Sequence, residues 1–392
     1  MRRGFFKGIG VNILLLGMVS LLADISSEMM MPLLPMFIAA LGGSALVIGL
    51  VGGFGDSITS LLQVFSGYWS DRYGRKKPFV FSGYAISAIA KLFLAISTIW
   101  QHVFITRSLD RAGKGLRTAP RDAIIADSTL TEVRGTAFGI HRAMDTAGAI
   151  VGSLLAFLLF WFLGLEFRAI LLISAVIAFL ALLPILRVRE VKREPQKIGL
   201  GISFKALPRN LKWFVLIASI FALGNFTYMF FILRAQDFFT GVVSERAAAA
   251  IPILLYVLYN VVYALLSVPA GMLSDRIGRR RVLLLGYLLF GLTCLGFALL
   301  ESLVFFIILF ALYGLVYALV EGTQRAFVSD LASAELRGTA LGALHTCIGL
   351  AALPASLIAG TLWQHIDPAA TFLYGCVLGL IAAAALLRIH IR

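Results

Sequence analysis

The chain has 392 residues, 60% of them hydrophobic, with a mean hydropathy of +0.94 and a formal net charge of +14. Soluble domains average about 45–50% apolar residues, so this composition excludes a soluble protein and implies an integral membrane one. The excess of Lys and Arg lies between hydrophobic runs, not on a polar surface interleaved with aromatics, which excludes nucleic acid as a partner.

In chain order, twelve segments are long enough to cross a bilayer: residues 9–40, 45–70, 79–98, 102–127, 134–162, 168–187, 211–240, 248–273, 282–299, 303–330, 338–363 and 369–388. An all-α membrane protein of twelve transmembrane helices is expected. The first run, VNILLLGMVSLL after MRRGFFKGIG, continues past Asp24 into MMMPLLPMFIAAL with no small-residue cleavage site, so it reads as an uncleaved span. Arg2, Arg3 and Lys7, the 72–77 loop, Arg134, the 188–210 segment, the 276–281 loop, Arg337, Arg388 and Arg392 fall on one set of connections. The opposite set holds little beyond Arg168 and Arg246. The positive-inside rule therefore places both termini in the cytoplasm.

The longest polar stretch, RVREVKREPQKIGLGISFKALPRN, divides the chain into an N-terminal six-span half (1–187), a cytoplasmic linker (188–210) and a C-terminal six-span half (211–392). The linker is expected to be a solvated loop or a helix lying on the anionic inner leaflet. The halves repeat. GYWSDRYGRKK at 67–77 returns as GMLSDRIGRRR at 271–281, EVRGTAFG at 132–139 returns as ELRGTALG at 335–342, and Asp127 returns as Asp330. Two pseudo-symmetric six-helix bundles with a solute site near the membrane midplane are an architecture of secondary transporters.

These residues resemble the major facilitator superfamily over essentially the whole chain, most specifically in the paired G-x-x-x-D-R-x-G-R-[KR]-[KR] loops. The resemblance implies a secondary transporter that works by alternating access. It also implies a cytoplasmic gate built from Gly67, Asp71, Arg72, Gly74 and Arg75 with Asp127, and from Gly271, Asp275, Arg276, Gly278 and Arg279 with Asp330. In such a gate the loop arginines engage the acids at the ends of spans 4 and 10, and the ion pairs break when the machine changes state. Pro32-x-x-Pro35 resembles a motif of the family's drug/proton antiporters. Arg107-x5-Gly113-x-Gly115 resembles the span-4 motif whose Arg is linked to proton coupling, with Asp110 and Arg111 in place of the usual Gln and Gly. The span-5 antiporter motif is not matched, since DTAGAIVGSLL keeps Gly148 and Gly152 but not the proline. The chain looks like a prokaryotic branch of the superfamily, which implies the cytoplasmic membrane.

Charges inside membrane-length segments are costly and mark solute or proton paths. Arg107, Arg111, Lys114, Arg117 and Arg121 step by 4, 3, 3 and 4 residues, which on a helix confines them to an arc of roughly 120°. Arg111 and Lys114 are candidate contacts for an anionic solute group, whereas Arg117 and Arg121 read as snorkelling to the cytoplasmic mouth. Asp24 and Glu28 lie one turn apart; each is either a proton carrier or the permanent partner of Arg107 or Arg111. His141 and Asp145 also share a face, as a proton relay or as structure. Asp110 completes the N-terminal candidates. Asn225, Tyr228, Glu321 and Arg325 are those of the C-terminal half, where several other tyrosines could stack on a ligand.

Among spans 1 to 5 the acids and bases nearly balance, which favours a zwitterionic or anionic metabolite. A proton-driven multidrug or metabolite exporter is the alternative, and a transporter-like membrane sensor is one of another class. The clustered Met29, Met30, Met31 and Met36 allow soft-metal transport but read more simply as packing. No nucleophile elbow, HExxH, P-loop or Cys/His metal spacing is present, so neither an enzyme nor a resident cofactor or metal is expected. The expected partners are a small-molecule solute, protons drawn down their gradient and the lipid bilayer around a monomer.

Overall fold

The structure, a computed structural model, describes residues 10–129, 133–190, 207–333 and 336–388. Among them fifteen α-helices follow one another: α1 Val11–Met30, α2 Leu34–Ala40, α3 Ala45–Tyr73, α4 Lys77–Ala95, α5 Trp100–Asp127, α6 Arg134–Trp161, α7 Phe167–Leu180, α8 Leu182–Arg187, α9 Arg209–Gly224, α10 Met229–Phe239, α11 Glu245–Ile277, α12 Arg279–Leu299, α13 Leu303–Leu331, α14 Arg337–His365 and α15 Pro368–Arg388. Among the described residues, eleven helical segments are long and apolar enough to cross a membrane. The one expected span missing from that set is α5, which is long enough at 28 residues but carries the charged stripe. Most of the linker, and the glutamates of the EVRGTAFG and ELRGTALG repeats, lie outside the described residues.

Three expected spans are each broken in two. The first breaks at Met31–Leu33 because Pro32 lacks an N–H and its ring crowds the preceding turn. The sixth breaks at Ala181, just ahead of Pro184. The seventh breaks without a proline. Asn225 leaves the helical region at φ −89°, ψ 68°, and the Thr227 N–H donates to Ser356 Oγ at 3.1 Å instead of to its own helix. Short polar side chains thus outcompete the helix for its backbone groups there.

The chain forms two compact units that are discontinuous in sequence: residues 1–33 with 61–200, and residues 34–60 with 201–392. The first unit packs α1 against α6 and α7, and α4 against α5 and α7. Its core is made by Ile13, Leu16 and Val19 with Val80, Ile124, Ile125 and Ile185. In the second unit α11 packs on α13, α12 on α13 and α15, and α9 on α14 and α15. Large apolar side chains such as Val176, Leu265 and Val268 remain 60–70% exposed, as expected of faces that meet lipid and not water.

Residues 45–60 join the second unit through a seam of small residues. Ser57 Oγ donates to the Gly349 carbonyl at 2.5 Å. A Cβ on Gly53 would lie 2.8 Å from both the Ala352 carbonyl oxygen and Ser356 Cβ, so α3 and α14 touch backbone to backbone, the usual way small residues join helices in a membrane. Gly53→Val is expected to destabilise the protein by about 1–3 kcal/mol through overpacking, read as a lower melting temperature.

Candidate functional site

In the first unit the charged helix α5 is held against α4 at a glycine pair. A Cβ on Gly83 would come within 2.6 Å of the Gly113 carbonyl oxygen, and one on Gly113 within 2.5 Å of that of Gly83. Contact this close turns the basic stripe inward, toward the polar side chains of α1 and α4. Arg107, Asp110, Arg111 and Arg117 are all less than 9% exposed.

Each of these charges has a specific partner. Arg107 donates to Asp110 at 2.8 Å and to the Met31 sulfur at 3.1 Å, and Arg111 reaches the same sulfur at 3.8 Å. Two guanidiniums facing that sulfur do not suit a metal cation. Lys91 donates to Ser26 and Ser27 on α1 at 2.8 and 2.9 Å, and Ser26 in turn donates to the Ser174 carbonyl at 2.7 Å. Arg117, expected to snorkel, is instead buried. It donates to Ser87 Oγ at 2.6 Å and lies 4.2 Å over the Tyr84 ring, because the close α4–α5 crossing puts Ser87 and Tyr84 beneath it. Arg121 bonds Asp122 and Ser20 at 3.0 Å, and Ser20 bonds the His141 ring at 2.9 Å.

The carboxyls meet where α1 crosses α6. A Cβ on Gly148 would lie 2.6 Å from the Leu21 carbonyl oxygen and 3.1 Å from Asp24 Cβ. This close approach sets Asp24 against Asp145, one turn before Gly148. The two carboxyls face each other closely enough to interact directly, an arrangement in which two like charges favour sharing a proton. The charged neighbours of Asp24 are thus Asp145, Lys114 and Glu28. Asp145 also pairs with Arg142 at 3.0 Å. Lys114 stands within electrostatic reach of both carboxyls and of Arg111, and Glu28 is a further charged neighbour of Asp24.

The loop elements are also resolved. Gly74 and Gly278 take φ of +63° and +95°, a region that glycine enters without steric cost. Arg279 bonds Asp330 at 3.2 Å and Asp275 at 2.5 Å. In the first unit it is Lys76, not Arg72 or Arg75, that pairs with Asp127, at 2.7 Å. Arg72 donates to Tyr68, and both Asp71 and Arg75 are exposed. Gly67 and Gly271 sit one turn before the loop acids, on α3 and α11. Lys77 donates to the Leu186 and Val188 carbonyls at 2.9 and 2.8 Å, and Arg280 to that of Leu386 at 3.0 Å. A basic residue thus closes the carboxyl end of the last helix in each half, where the helix dipole favours a cation.

In the second unit Asn225 and Tyr228 flank the break between α9 and α10, not a continuous helix as the sequence suggested. Asn225 Nδ2 reaches the Tyr317 hydroxyl at 3.4 Å. Glu321 accepts from Tyr263 and pairs with Arg325. Lys76, Lys91, Ser26, Ser27 and Ser87 were not among the candidates. The signal for Ser87 lay in its place one turn after Gly83, and that for Lys76 in its basic position within the repeated loop motif.

Comparison with known proteins follows this geometry. The sequence profile described as Major Facilitator Superfamily matches residues 16–241 and 242–391. The chain is 52% identical to the uncharacterized MFS-type transporter MJ1317 of Methanocaldococcus jannaschii over 380 residues, 96% of this chain and 94% of that one. It is 31% identical to the multidrug resistance protein MdtH of Yersinia pestis over 170 residues, 42% of this chain and 41% of that one. Among solved structures, the nucleoside transporter NupG superposes with a TM-score of 0.78 at 16% identity, covering 96% of this chain and 98% of NupG. The POT family transporter PepTSo superposes at 0.80 with 15% identity, covering 96% and 97%. With the profile matched over almost the whole chain and a relative aligned along nearly its full length, the chain belongs to the major facilitator superfamily of multi-pass membrane transporters.

Proposed function

We propose that this transporter moves a small organic solute, zwitterionic or anionic, by alternating access coupled to protons. The observation that carries the reading is the Asp24–Asp145 carboxyl pair beside Lys114. With one proton the pair holds a single negative charge; without it, two. The second charge draws Lys114 toward the carboxyls and away from an anionic solute group, so proton and solute become linked through one lysine. The basic face of α5 supplies the attraction for the anion. The protein carries out no covalent chemistry and needs no resident cofactor, its energy source being the proton gradient. It works as a monomer in a prokaryotic cytoplasmic membrane, with both termini inside. The two six-span halves act as the moving bodies, and the Lys76–Asp127 and Arg279–Asp330 pairs act as cytoplasmic latches.

The test is proteoliposomes loaded with a pH-sensitive dye and challenged with pooled amino acids and carboxylates. Solute addition is expected to change internal pH, and a protonophore is expected to abolish concentrative uptake. Uptake indifferent to the proton gradient would leave a uniporter. Multidrug export is a second reading, favoured by the 31% identity to MdtH; movement of lipophilic cationic dyes in the same vesicles, without response to metabolites, would select it.

A further inference from the structure

The second unit holds a feature that the proton-linked site does not use. Tyr228, Tyr256, Tyr259, Tyr263, Tyr313 and Tyr317 form one continuous cluster across the start of α10, α11 and α13. Ring centroids are 5.5 Å apart for Tyr228–Tyr256 and for Tyr256–Tyr259. They are 5.0 Å apart for Tyr259–Tyr313 and 5.6 Å for Tyr259–Tyr317. Tyr228, Tyr263 and Tyr317 are only half-buried, so the cluster has an accessible edge.

Three observations around it agree in sign. The ring faces carry negative quadrupole density, which attracts cations. Two acidic side chains lie at its edge: Glu321 accepts from Tyr263 and pairs with Arg325, and Asp56 is within electrostatic reach of Tyr317. One polar atom here is an acceptor without a donor among the described residues: Asn225 Oδ1 is buried with no hydrogen-bond partner, while its Nδ2 points at Tyr317. A buried acceptor left unmatched is costly, and the break between α9 and α10 holds it at the cluster. The site therefore calls for a ligand group that is positive, donates hydrogen bonds and tolerates aromatic walls.

We propose that this tyrosine cluster is a subsite for a protonated amine, the cationic end of the transported solute. The solute is then a zwitterion or an amine, not a simple anion. This assignment rests on the transport reading for the ligand's identity, but binding to the cluster is measurable without any gradient.

The experiment uses the full-length protein in lipid nanodiscs and three probes that share one ring: 2-phenylethylamine, 2-phenylethanol and 3-phenylpropanoate. Equilibrium affinities come from isothermal titration calorimetry. The amine is expected to bind at least about tenfold tighter than the alcohol, a modest demand on cation–π attraction with a carboxylate nearby. The propanoate is expected to bind more weakly than the alcohol. Asp56→Asn and Asn225→Leu should each shrink the amine preference to about threefold or less. Equal binding by the alcohol, tighter binding by the propanoate, no saturable binding by the amine, or an undiminished preference in Asp56→Asn would overturn the assignment. The comparison among probes is made on the unaltered protein, so it stands even if a variant does not fold. Failure of the amine preference alongside intact proton-coupled uptake removes the subsite alone. Amine preference without coupled uptake removes the coupling alone.

Discussion

Alanine at Asp110 is expected to cost about 3–5 kcal/mol of folded-state stability, because it strips the counterion from a buried guanidinium. Arg107 is 1% exposed and its carboxylate contact is Asp110, at 2.8 Å. The Met31 sulfur that Arg107 also reaches is a weak acceptor and cannot replace a carboxylate. Asp110 moreover faces Lys91, Arg111 and Arg117 as well as Arg107, so its loss removes an anion that four cations share. The expected result is a large drop in melting temperature in detergent and poor recovery as a monodisperse species. Replacing both partners, Arg107→Met with Asp110→Met, should recover much of that loss, since apolar side chains of similar volume often substitute for a buried pair. A single variant that melts with the parent protein would show that water reaches Arg107 and that the pair is not sealed.

That same stripe shows what could be read in the sequence and what could not. Its helical spacing put five cations on one face, and α5 carries them along one inward side. Their partners were beyond the pattern, because partner choice depends on how closely neighbouring helices approach. Arg117 turned inward because Gly83 and Gly113 let α4 and α5 touch, a contact that charge spacing does not encode. The loops show the same limit. The repeat identified both copies of the D-R-x-G-R motif, yet Asp330 is met by Arg279 and Asp127 by Lys76, one position further along in the repeat. Both loop cations are long enough to serve, so a small difference in loop geometry decides between them. The break at Pro32 follows from a residue that cannot continue a helix. The break at Asn225–Tyr228 depends on Ser356, more than a hundred residues away, capturing a backbone N–H. Likewise, the half boundaries were placed by the polar linker, whereas the Gly53 and Ser57 contacts with α14 group residues 34–60 with the second unit.

The separation of coupling from binding rests on two residues of the first unit. Asp24→Asn is expected to lower solute-driven proton flux at least about 30-fold, equivalent to about 2 kcal/mol of coupling free energy. Equilibrium affinity for the solute should stay within a few-fold. Asparagine has the shape of the acid it replaces beside Gly148, and its amide can donate to Asp145 as a protonated carboxyl would. The substitution therefore mimics the protonated pair permanently and holds its charge at one. Lys114 would remain available to the solute in every state, and with nothing for the proton to change, the two movements come apart. Lys114→Met should act in the opposite manner: it removes the group that proton and solute both address, so affinity and flux fall together. Reading both variants in dye-loaded proteoliposomes, with binding measured separately on purified protein, gives each a distinct signature. If Asp24→Asn instead left proton flux intact, the carboxyl pair would be a static clamp between α1 and α6, and the proton path would have to run through another buried group such as His141 on α6, which bonds Ser20 on α1.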